Sequence, residues 1–444
     1  MSGWRDAVRV YGDRRVLAVL LLGFASGLPF LLTYSTLSAW LATAQISRAS
    51  IGLFALVGLP YAFKVLWAPL IDRLPPPLPL GRRRGWGVTI QLLLIAAVLA
   101  LGRVDPQTDL GLMAVLAVTV AFLSASQDVV IDAYRVEILE LDQQGPGAAM
   151  VQAGYRLAML TAGAGSLVIA QAFGWFAAYA SMAALLGLGV LVFLLGKEPS
   201  RRPSAATLER ERQAEQFLQR RPELRGAKAH LLAWLYGTFV CPFADFATRP
   251  LWPAILIFVI TYKLGEAMAG VMATPLYVSI GFSLNEIASV SKIFGFFATI
   301  AGVLIGGAVV NRIGAMRALL LCGILQSMGN LFYVLQAAAG HHLGALALCV
   351  AAENLTGGMA ATALVAYISG LCNTAYTATQ YALLSSLTAI GRTVFASSGG
   401  ALAERLGWES FFLLTSVLTI PALLLLVWIM AKGPGDPIPV AEDG

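Results

Sequence analysis

The sequence has little charge for its length. Only 12% of its 444 residues are charged, whereas a soluble domain carries about a quarter. Hydrophobic residues make up 58% of the chain, and the mean hydropathy is +0.76. These values predict an integral membrane protein. The net charge of +6 comes from arginines scattered among apolar segments, which suits membrane topology and argues against a nucleic-acid partner.

Cysteine and histidine are also scarce. The four cysteines stand singly, without a CxxC spacing, so neither a disulfide framework nor a zinc site is expected. The three histidines lie at the edges of predicted segments, which argues against a metal-dependent or redox core. We therefore expect no cofactor and no metal. These residues are Cys241, Cys322, Cys349, Cys372, His230, His341 and His342.

The beginning of the chain differs from a cleavable signal peptide. Arginines precede an apolar run from Val16 to Leu41, which is longer than the 7–15 residues of a signal sequence. The run predicts an uncleaved first transmembrane helix.

Apolar stretches long enough to span a bilayer recur along the whole chain, six before and six after a polar middle. They are residues 16–41, 50–71, 85–101, 110–132, 147–171, 174–196, 252–277, 287–310, 317–338, 344–369, 379–402 and 408–431. The predicted units are a first bundle (1–196), a central cytoplasmic loop (197–250) and a second bundle with a short tail (251–444). Within the loop, Leu231 to Phe246 predicts an interfacial helix; plain linker is the alternative.

Basic residues fall mainly in alternate loops. With the N-terminus inside, only Arg48, Arg103 and Arg405 lie in outer loops. The positive-inside rule then places both termini in the cytoplasm.

One loop signature occurs twice. The first copy is Asp72-Arg73 followed, after a proline-rich insert, by Gly81 to Arg84; the second is Gly307, Asn311-Arg312, Gly314 and Arg317. Arg156 and Arg392 repeat at nearly the same offset. This repetition predicts two duplicated six-helix bundles, as in transporters whose halves rock against each other.

The repeated loop predicts a gate. Asp72 or Asn311, at a helix end, can accept hydrogen bonds from the N-terminus of a neighbouring helix. The arginines can hold the loop against the facing half or against lipid phosphates. The predicted gating residues are Asp72, Arg73, Arg82, Arg83, Gly307, Asn311, Arg312 and Arg317.

Ionisable residues within spans are functional candidates, because burial in hydrocarbon is costly for them. They are Lys64, Asp128, Asp132, Arg156, Lys263, Glu266, Lys292, Glu353 and Arg392. We expect Lys292 to extend to the outer surface and Asp132, followed by Tyr134 and Arg135, to lie at a solvated helix end. The slight positive excess suits an anionic or zwitterionic solute.

Asp128 is the candidate proton carrier. It lies beside Gln127 among small residues, about one turn deeper than Asp132. Lost hydration favours the neutral carboxyl, and Asp132 on the same helix face repels a second negative charge. The alternative is a structural salt bridge to Arg156 or Lys64.

Other polar residues accompany these charges. Tyr155 precedes Arg156, and Asn354 follows Glu353. Lys263 and Glu266, three residues apart, share one helix face; a local ion pair would make them structural.

The spacing of the repeated loop resembles the major facilitator superfamily motif Gly-x-x-x-Asp-Arg-x-Gly-Arg-Arg. The first copy departs from it, with Ala68 for glycine and an insert from Leu74 to Leu80. Longer strings resemble the AmpG muropeptide permease family. They are residues 23–29, 63–73, 81–86, 124–128, 155–157, 262–266, 353–359 and 380–385.

The AmpG resemblance implies a major facilitator fold and proton-driven import of anhydro-muropeptides across a bacterial inner membrane, for peptidoglycan recycling and β-lactamase induction. The family's helix 4 aspartate falls on Asp128. We then expect Lys64, Arg156 and Lys263 to meet peptide carboxylates, and Gln127, Asn354 and Tyr155 to bind sugar groups. Glu266, Glu353 and Arg392 complete the predicted binding set of a monomer. A permease for another solute, such as acetyl-CoA or a sugar, and a membrane-embedded transferase are the alternatives.

Overall fold

A computed structural model describes residues 9–47, 50, 53–199, 234–283, 286–396, 398–433 and 435–438. Across these ranges the regular secondary structure is entirely helical. Residues 200–233 of the predicted central loop, and the start of its predicted interfacial helix, lie outside the described ranges.

Six segments form the first half. They are α1 (Arg14–Thr33 and Ser35–Thr43), α2 (Phe54–Gly58, Leu59–Phe63, Lys64–Leu66 and Ala68–Arg73), α3 (Arg82–Arg103), α4 (Leu110–Ile138), α5 (Gln144–Leu160, Thr161–Gly165 and Ser166–Phe173) and α6 (Trp175–Leu195).

Two short helices, Tyr236–Val240 and Cys241–Ala247, which we call the linker helix, precede the second half. The second half comprises α7 (Trp252–Thr261 and Leu264–Ser279), α8 (Ile287–Phe294 and Gly295–Ile313), α9 (Ala315–Ala339), α10 (Leu343–Gly370), α11 (Thr377–Ala396 and Gly399–Leu406) and α12 (Trp408–Val417 and Ile420–Lys432).

Among the described residues, ten helical stretches are long and apolar enough to cross a membrane, and the two remaining segments, α2 and α11, are interrupted. In α2, Pro60 and Pro69 each stand in the first turn of a new short helix. Proline lacks the N–H that would continue the preceding helix, so these positions favour new starts.

Each half is a tightly packed bundle. In the first half α1 packs along α5 and α3 along α6, and in the second α10 packs between α8 and α9. Glycines permit these approaches: a Cβ on Gly27 would lie 2.7 Å from the Tyr155 carbonyl oxygen, and one on Gly358 would lie 2.7 Å from that of Thr299. Small residues therefore set the helix spacing within both halves.

The halves meet through α5 with α8 and α10, and through α11 with α2 and α4. Contacts gather at one end of the molecule, where the end of α2 meets the start of α11 and the start of α5 meets the end of α8. We call this the closed end and the opposite one the open end.

Candidate functional site

A cavity of about 350 Å³ lies between α5 of the first half and α7 to α10 of the second. Three predicted binding residues, Arg156, Glu353 and Asn354, are in its wall. Tyr277 and Tyr333 add aromatic surface, and Thr274, Ser291 and Thr299 add hydroxyls. The cavity thus combines charge, hydrogen-bonding groups and rings, as expected for a polar solute with apolar parts.

The cavity charges have both signs. Glu353 lies within electrostatic range of Glu266, Lys263, Arg156 and Lys292. Among the described residues, neither Glu353 nor Arg156 has an ion-pair partner within 4.0 Å. These two charges therefore remain available to a solute.

Lys292 lines this cavity and is exposed, so the expectation that it extends to the outer surface stays a prediction. Lys292 lies in a π-helical stretch, Ile287–Phe294. Its side chain lines the same wall as Arg156 and Glu353.

Asn354 and the Lys263–Glu266 pair have partners within the second half. Asn354 accepts a hydrogen bond from the Thr299 hydroxyl at 2.8 Å and donates to the Val350 carbonyl oxygen. Lys263 forms a local ion pair with Glu266 beside the break in α7. The geometry thus matches the structural alternative for this pair, although the Glu266 side chain remains 26% exposed.

Asp128 lies on α4 facing α1 and α2. Its Oδ1 accepts a 2.6 Å hydrogen bond from the Ser26 hydroxyl. Lys64, only 9% exposed, acts on it electrostatically. Within the described ranges, neither Lys64 nor Arg156 approaches Asp128 within 4.0 Å, so the salt-bridge alternative is wrong for this conformation. Ser26 was missed because a serine in an apolar helix carries no distinctive signal.

Aromatic residues lie near Asp128. Tyr61 and Tyr155 both lie within electrostatic range of Asp128, and the Phe30 ring packs against both of their rings. Tyr155 also lies within range of Arg156 and Arg392, which places the two repeated arginines near one another at the junction of the halves.

Gln127 does not face the cavity. Its side chain is 1% exposed, and neither of its amide atoms has a hydrogen-bond partner in the described part of the chain. The prediction that Gln127 contacts sugar groups is wrong for this conformation, because α4 turns the adjacent Asp128 and Gln127 in different directions.

Asp132 is not at a solvated helix end. Helix α4 continues to Ile138, and Tyr134 and Arg135 are 2% and 0% exposed. The expectation was wrong because the second half covers this end of α4: Arg135 donates to the Ser369 hydroxyl of α10 at 2.9 Å.

Asp72 joins the halves at the closed end. One carboxylate oxygen accepts hydrogen bonds from the backbone N–H and the hydroxyl of Thr379, at 2.9 and 2.8 Å. The other accepts from Arg83 at 2.7 Å. Thr379 lies in the first turn of α11, where a carboxylate is stabilised by unpaired N–H groups and the helix dipole.

Comparison with known proteins identifies the family of this chain. The sequence model of the Major Facilitator Superfamily matches residues 19–273 and 255–443. The anhydromuropeptide permease of Escherichia coli strain K12 is 40% identical over 95% of this chain and 80% of that protein. A putative transporter, AmpG 4, of Rickettsia felis is 31% identical over 96% and 98% of the two chains.

The chain belongs to the AmpG family of the major facilitator superfamily. It is accordingly a multi-pass membrane transporter for a small molecule and not an enzyme, which removes the transferase alternative.

Solved structures confirm the fold of this AmpG-family chain. The transporter FucP in an outward conformation matches with a TM-score of 0.70 at 13% identity, over 95% of this chain and 99% of that one. The proton:xylose symporter XylE matches with a TM-score of 0.64 at 12% identity, over 98% of both chains. The predicted arrangement of twelve spans in two six-helix bundles is confirmed.

The arginines of the first loop copy form one network around Asp72. Arg83, fully buried, forms ion pairs with Asp72 and Glu137. Arg82 reaches Glu137 at 3.3 Å. Arg73 instead donates to the Gly237 carbonyl oxygen of the linker helix at 3.1 Å.

The second loop copy acts by close packing. A Cβ on Gly307 would lie 2.6 Å from Ala149 Cβ and 2.9 Å from the Gly145 carbonyl oxygen of α5. The Tyr11 hydroxyl donates to the Leu304 carbonyl oxygen at 2.6 Å. The expectation that Asn311 accepts from a neighbouring helix is not met, since its side chain has no hydrogen bond within the described ranges.

The remaining arginines of the second copy, Arg312 and Arg317, lie at the end of α8 and the start of α9. Arg317 is exposed and acts electrostatically on Asp436. Neither arginine reproduces the ion pairs of Arg83.

The linker helix packs against the closed end. Its buried Asp245 accepts hydrogen bonds from Asn373 at 3.2 Å and from Gln380 at 2.9 Å. Thr238, Cys241 and Phe246 are buried as well. One face of the described part of the predicted interfacial helix therefore packs against protein, while large apolar residues such as Tyr236, Val240 and Phe243 remain exposed.

A second repeat, an acidic residue that caps the start of a helix in each half, was not predicted from the sequence. Glu198 accepts hydrogen bonds from the N–H groups of Arg83 and Arg84 at the start of α3. Asp436 accepts from Met316 N at the start of α9, and burial raises the pKa of this carboxyl. Each acid is followed by proline, in Glu198-Pro199 and Asp436-Pro437. That acid–proline pair after each sixth span was the available signal.

Proposed function

We propose that this transporter imports anhydro-muropeptides, N-acetylglucosaminyl-1,6-anhydro-N-acetylmuramyl peptides, together with protons. The observation that carries the proposal is the 40% identity to the anhydromuropeptide permease of Escherichia coli over most of both chains. The mixed charges of the cavity wall support it, because a muropeptide presents carboxylates, amide groups and sugar rings.

We propose that the protein lies in a bacterial inner membrane, with both termini in the cytoplasm. The basic loops support this orientation through the positive-inside rule. The closed end then faces the cytoplasm and the cavity opens toward the periplasm. The proposed organisation is a monomer with units 1–196, 197–250 and 251–444, serving peptidoglycan recycling and β-lactamase induction.

In the proposed cycle the solute enters from the periplasm and Asp128 takes up a proton. Arg156 meets peptide carboxylates, with Lys64 and Lys263 nearby, and Asn354 and Tyr155 contact sugar and N-acetyl groups. Glu266, Glu353 and Arg392 complete the binding set. The halves then rock, the contact between Asp72 and α11 breaks, and the solute leaves toward the cytoplasm.

The test is uptake of labelled anhydro-muropeptide into right-side-out vesicles under an imposed proton gradient. Wild-type protein is expected to accumulate the solute, and Asp128→Asn to lose accumulation while keeping solute exchange. Asp105→Asn, an exposed loop carboxylate, is the matched control. Full proton-driven accumulation by Asp128→Asn contradicts its role as carrier. Stronger competition by acetyl-CoA or a simple sugar than by unlabelled muropeptide contradicts the proposed solute.

A further inference from the structure

Arg135 is a fully buried guanidinium that bridges the two halves. It belongs to α4, yet its Nη2 donates to Ser369 of α10 at 2.9 Å and its Cζ lies 5.3 Å from the centre of the Tyr381 ring of α11. Ser369 and Tyr381 are 2% and 5% exposed. Within the described ranges, Nε and Nη1 of Arg135 have no hydrogen-bond partner. One charge is thus held in a dry contact by few polar bonds, so its stability depends strongly on its counter-ion.

The counter-ion is Asp132. Its carboxylate lies 3.9 Å from Arg135 Nη2 and also interacts with Lys64 and with the Tyr381 hydroxyl. Asp128, one turn away on the same face of α4, interacts with Lys64 and Asp132 as well. Lys64 therefore acts on both carboxylates, whereas among the described residues Asp132 is the one carboxylate within 4.0 Å of Arg135.

These four groups are electrically balanced when both carboxylates are ionised, with two negative and two positive charges. Protonation of Asp128 leaves an excess of one positive charge. Lys64 then has a single negative neighbour, Asp132, for which it competes with Arg135.

Other groups face this set from the surrounding helices without altering the balance. They are Ser26 on α1, Tyr61 on α2, Tyr155 on α5, Ser369 on α10 and Tyr381 on α11. These five are neutral. Charged groups lie further out: Arg156 and Arg392 act on Tyr155, and Asp72 and Arg249 act on Cys372, which is also in range of Arg135 and Asp132. Their charges are the same whether or not Asp128 is protonated, and among the described residues Asp132 is the only carboxylate within 4.0 Å of Arg135. Asp132 is therefore the group that carries the effect of a proton on Asp128 toward the contact between the halves.

We propose that Arg135 is the residue through which proton uptake at Asp128 opens the closed end. With Asp128 ionised, Lys64 is held by two carboxylates and Asp132 remains beside Arg135, which keeps α4 against α10 and α11. With Asp128 protonated, Lys64 draws Asp132 away, and the buried guanidinium loses its counter-ion. The contact with Ser369 and Tyr381 then separates, because an unpaired charge is stable only in water.

The test measures closed-end opening against pH. A single cysteine replaces Ala378, which is 1% exposed at the start of α11, in a variant without the four native cysteines, and its labelling by a thiol reagent reports opening. In otherwise wild-type protein, labelling is expected to rise at least about tenfold as the pH falls. In Arg135→Gln, labelling is expected to be high and independent of pH. Arg15→Gln, at an exposed ion pair with Glu140, is the control.

Transport supplies the second readout. Arg135→Gln is expected to keep solute exchange within about threefold of wild type and to lose proton-driven accumulation at least about tenfold. Arg135→Lys keeps the positive charge that Arg135→Gln removes, but it lacks the planar guanidinium. It is expected to recover part of the pH dependence of labelling. A purely structural role would lower exchange and accumulation together.

Unchanged pH-dependent labelling in Arg135→Gln, or a parallel loss of exchange and accumulation, overturns the inference. It rests on the proposed proton coupling, which wild-type protein tests separately. If wild-type protein fails to accumulate solute on a proton gradient, the proposed function is wrong. If wild-type protein accumulates solute on a proton gradient and the Arg135 variants behave like wild type, the proposed function stands and this inference is wrong.

Discussion

Replacing Asp72 by alanine is expected to shift the transporter toward a state with the closed end open. In the closed state Asp72 accepts two short hydrogen bonds across the halves, both from Thr379. The bond from Arg83 stays within the first half and is kept when the halves separate. The backbone N–H of Ala378 also donates to Asp72 across the halves, at 3.4 Å. The shift is therefore set by these bonds from α11, chiefly the two short ones from Thr379, and by the α11 dipole.

The magnitude follows from these contacts. A hydrogen bond to a charged group contributes about 1.5–3 kcal/mol, and a charge at a helix N-terminus contributes about 0.3–1 kcal/mol. Loss of both bonds is expected to cost the closed state at least about 3 kcal/mol, roughly a hundredfold in its population. Thr379→Val removes only the hydroxyl bond, so we expect about tenfold.

The assay is a distance measurement between spin labels on the two halves. Leu195 and Lys432 end α6 and α12 and are exposed, so labels there separate when the closed end opens. Thr388→Val is the control, because the Thr388 hydroxyl bonds, within the described ranges, to Leu384 of its own helix. A distribution of spin-label distances in Asp72→Ala identical to that of wild type would refute the reasoning. An equally large increase of the distance in Thr388→Val would refute it as well.

Two further predictions concern packing and stability. Gly307→Val is expected to keep the closed end from forming and to abolish uptake, since the valine side chain would collide with Ala149. The same pair of spin labels should then report a long distance. The control is Gly187→Ala, where an added Cβ meets nothing within 4 Å, and it should behave like wild type. Asp436→Ala is expected to lower the free energy of unfolding by about 0.5–2 kcal/mol, as the loss of a helix cap does, seen as a lower melting temperature in detergent. Glu198→Ala should do the same, and unchanged melting in both variants would show that these caps are not stabilising.

The sequence was a good guide to the spans, because length and hydropathy alone determine whether a helix can cross a bilayer. It was a poorer guide to their continuity. The breaks in α2 fall at Pro60 and Pro69, whereas residues 50–71 were predicted as one continuous span. The π-helical start of α8 left no mark comparable to a proline, because no residue type requires that geometry.

The polar residues show a similar division. Asp72 was predicted as a helix-end acceptor from its motif, and the structure supplies Thr379 as its partner. Gln127 and Asp132 were misplaced, since the rotation of a helix toward the other half depends on packing between segments far apart in sequence. Hydropathy detects a charge within a span but not the direction in which it points.

The acid–proline caps bear on how the protein is made. Glu198 closes the start of α3 but leaves the ribosome only after α6, so the first half can complete its own packing before any of α7 is synthesised. Asp436 does the same for α9 at the end of the second half. Each bundle thus contains the residue that caps its own third helix, which allows the two halves to fold in succession during membrane insertion.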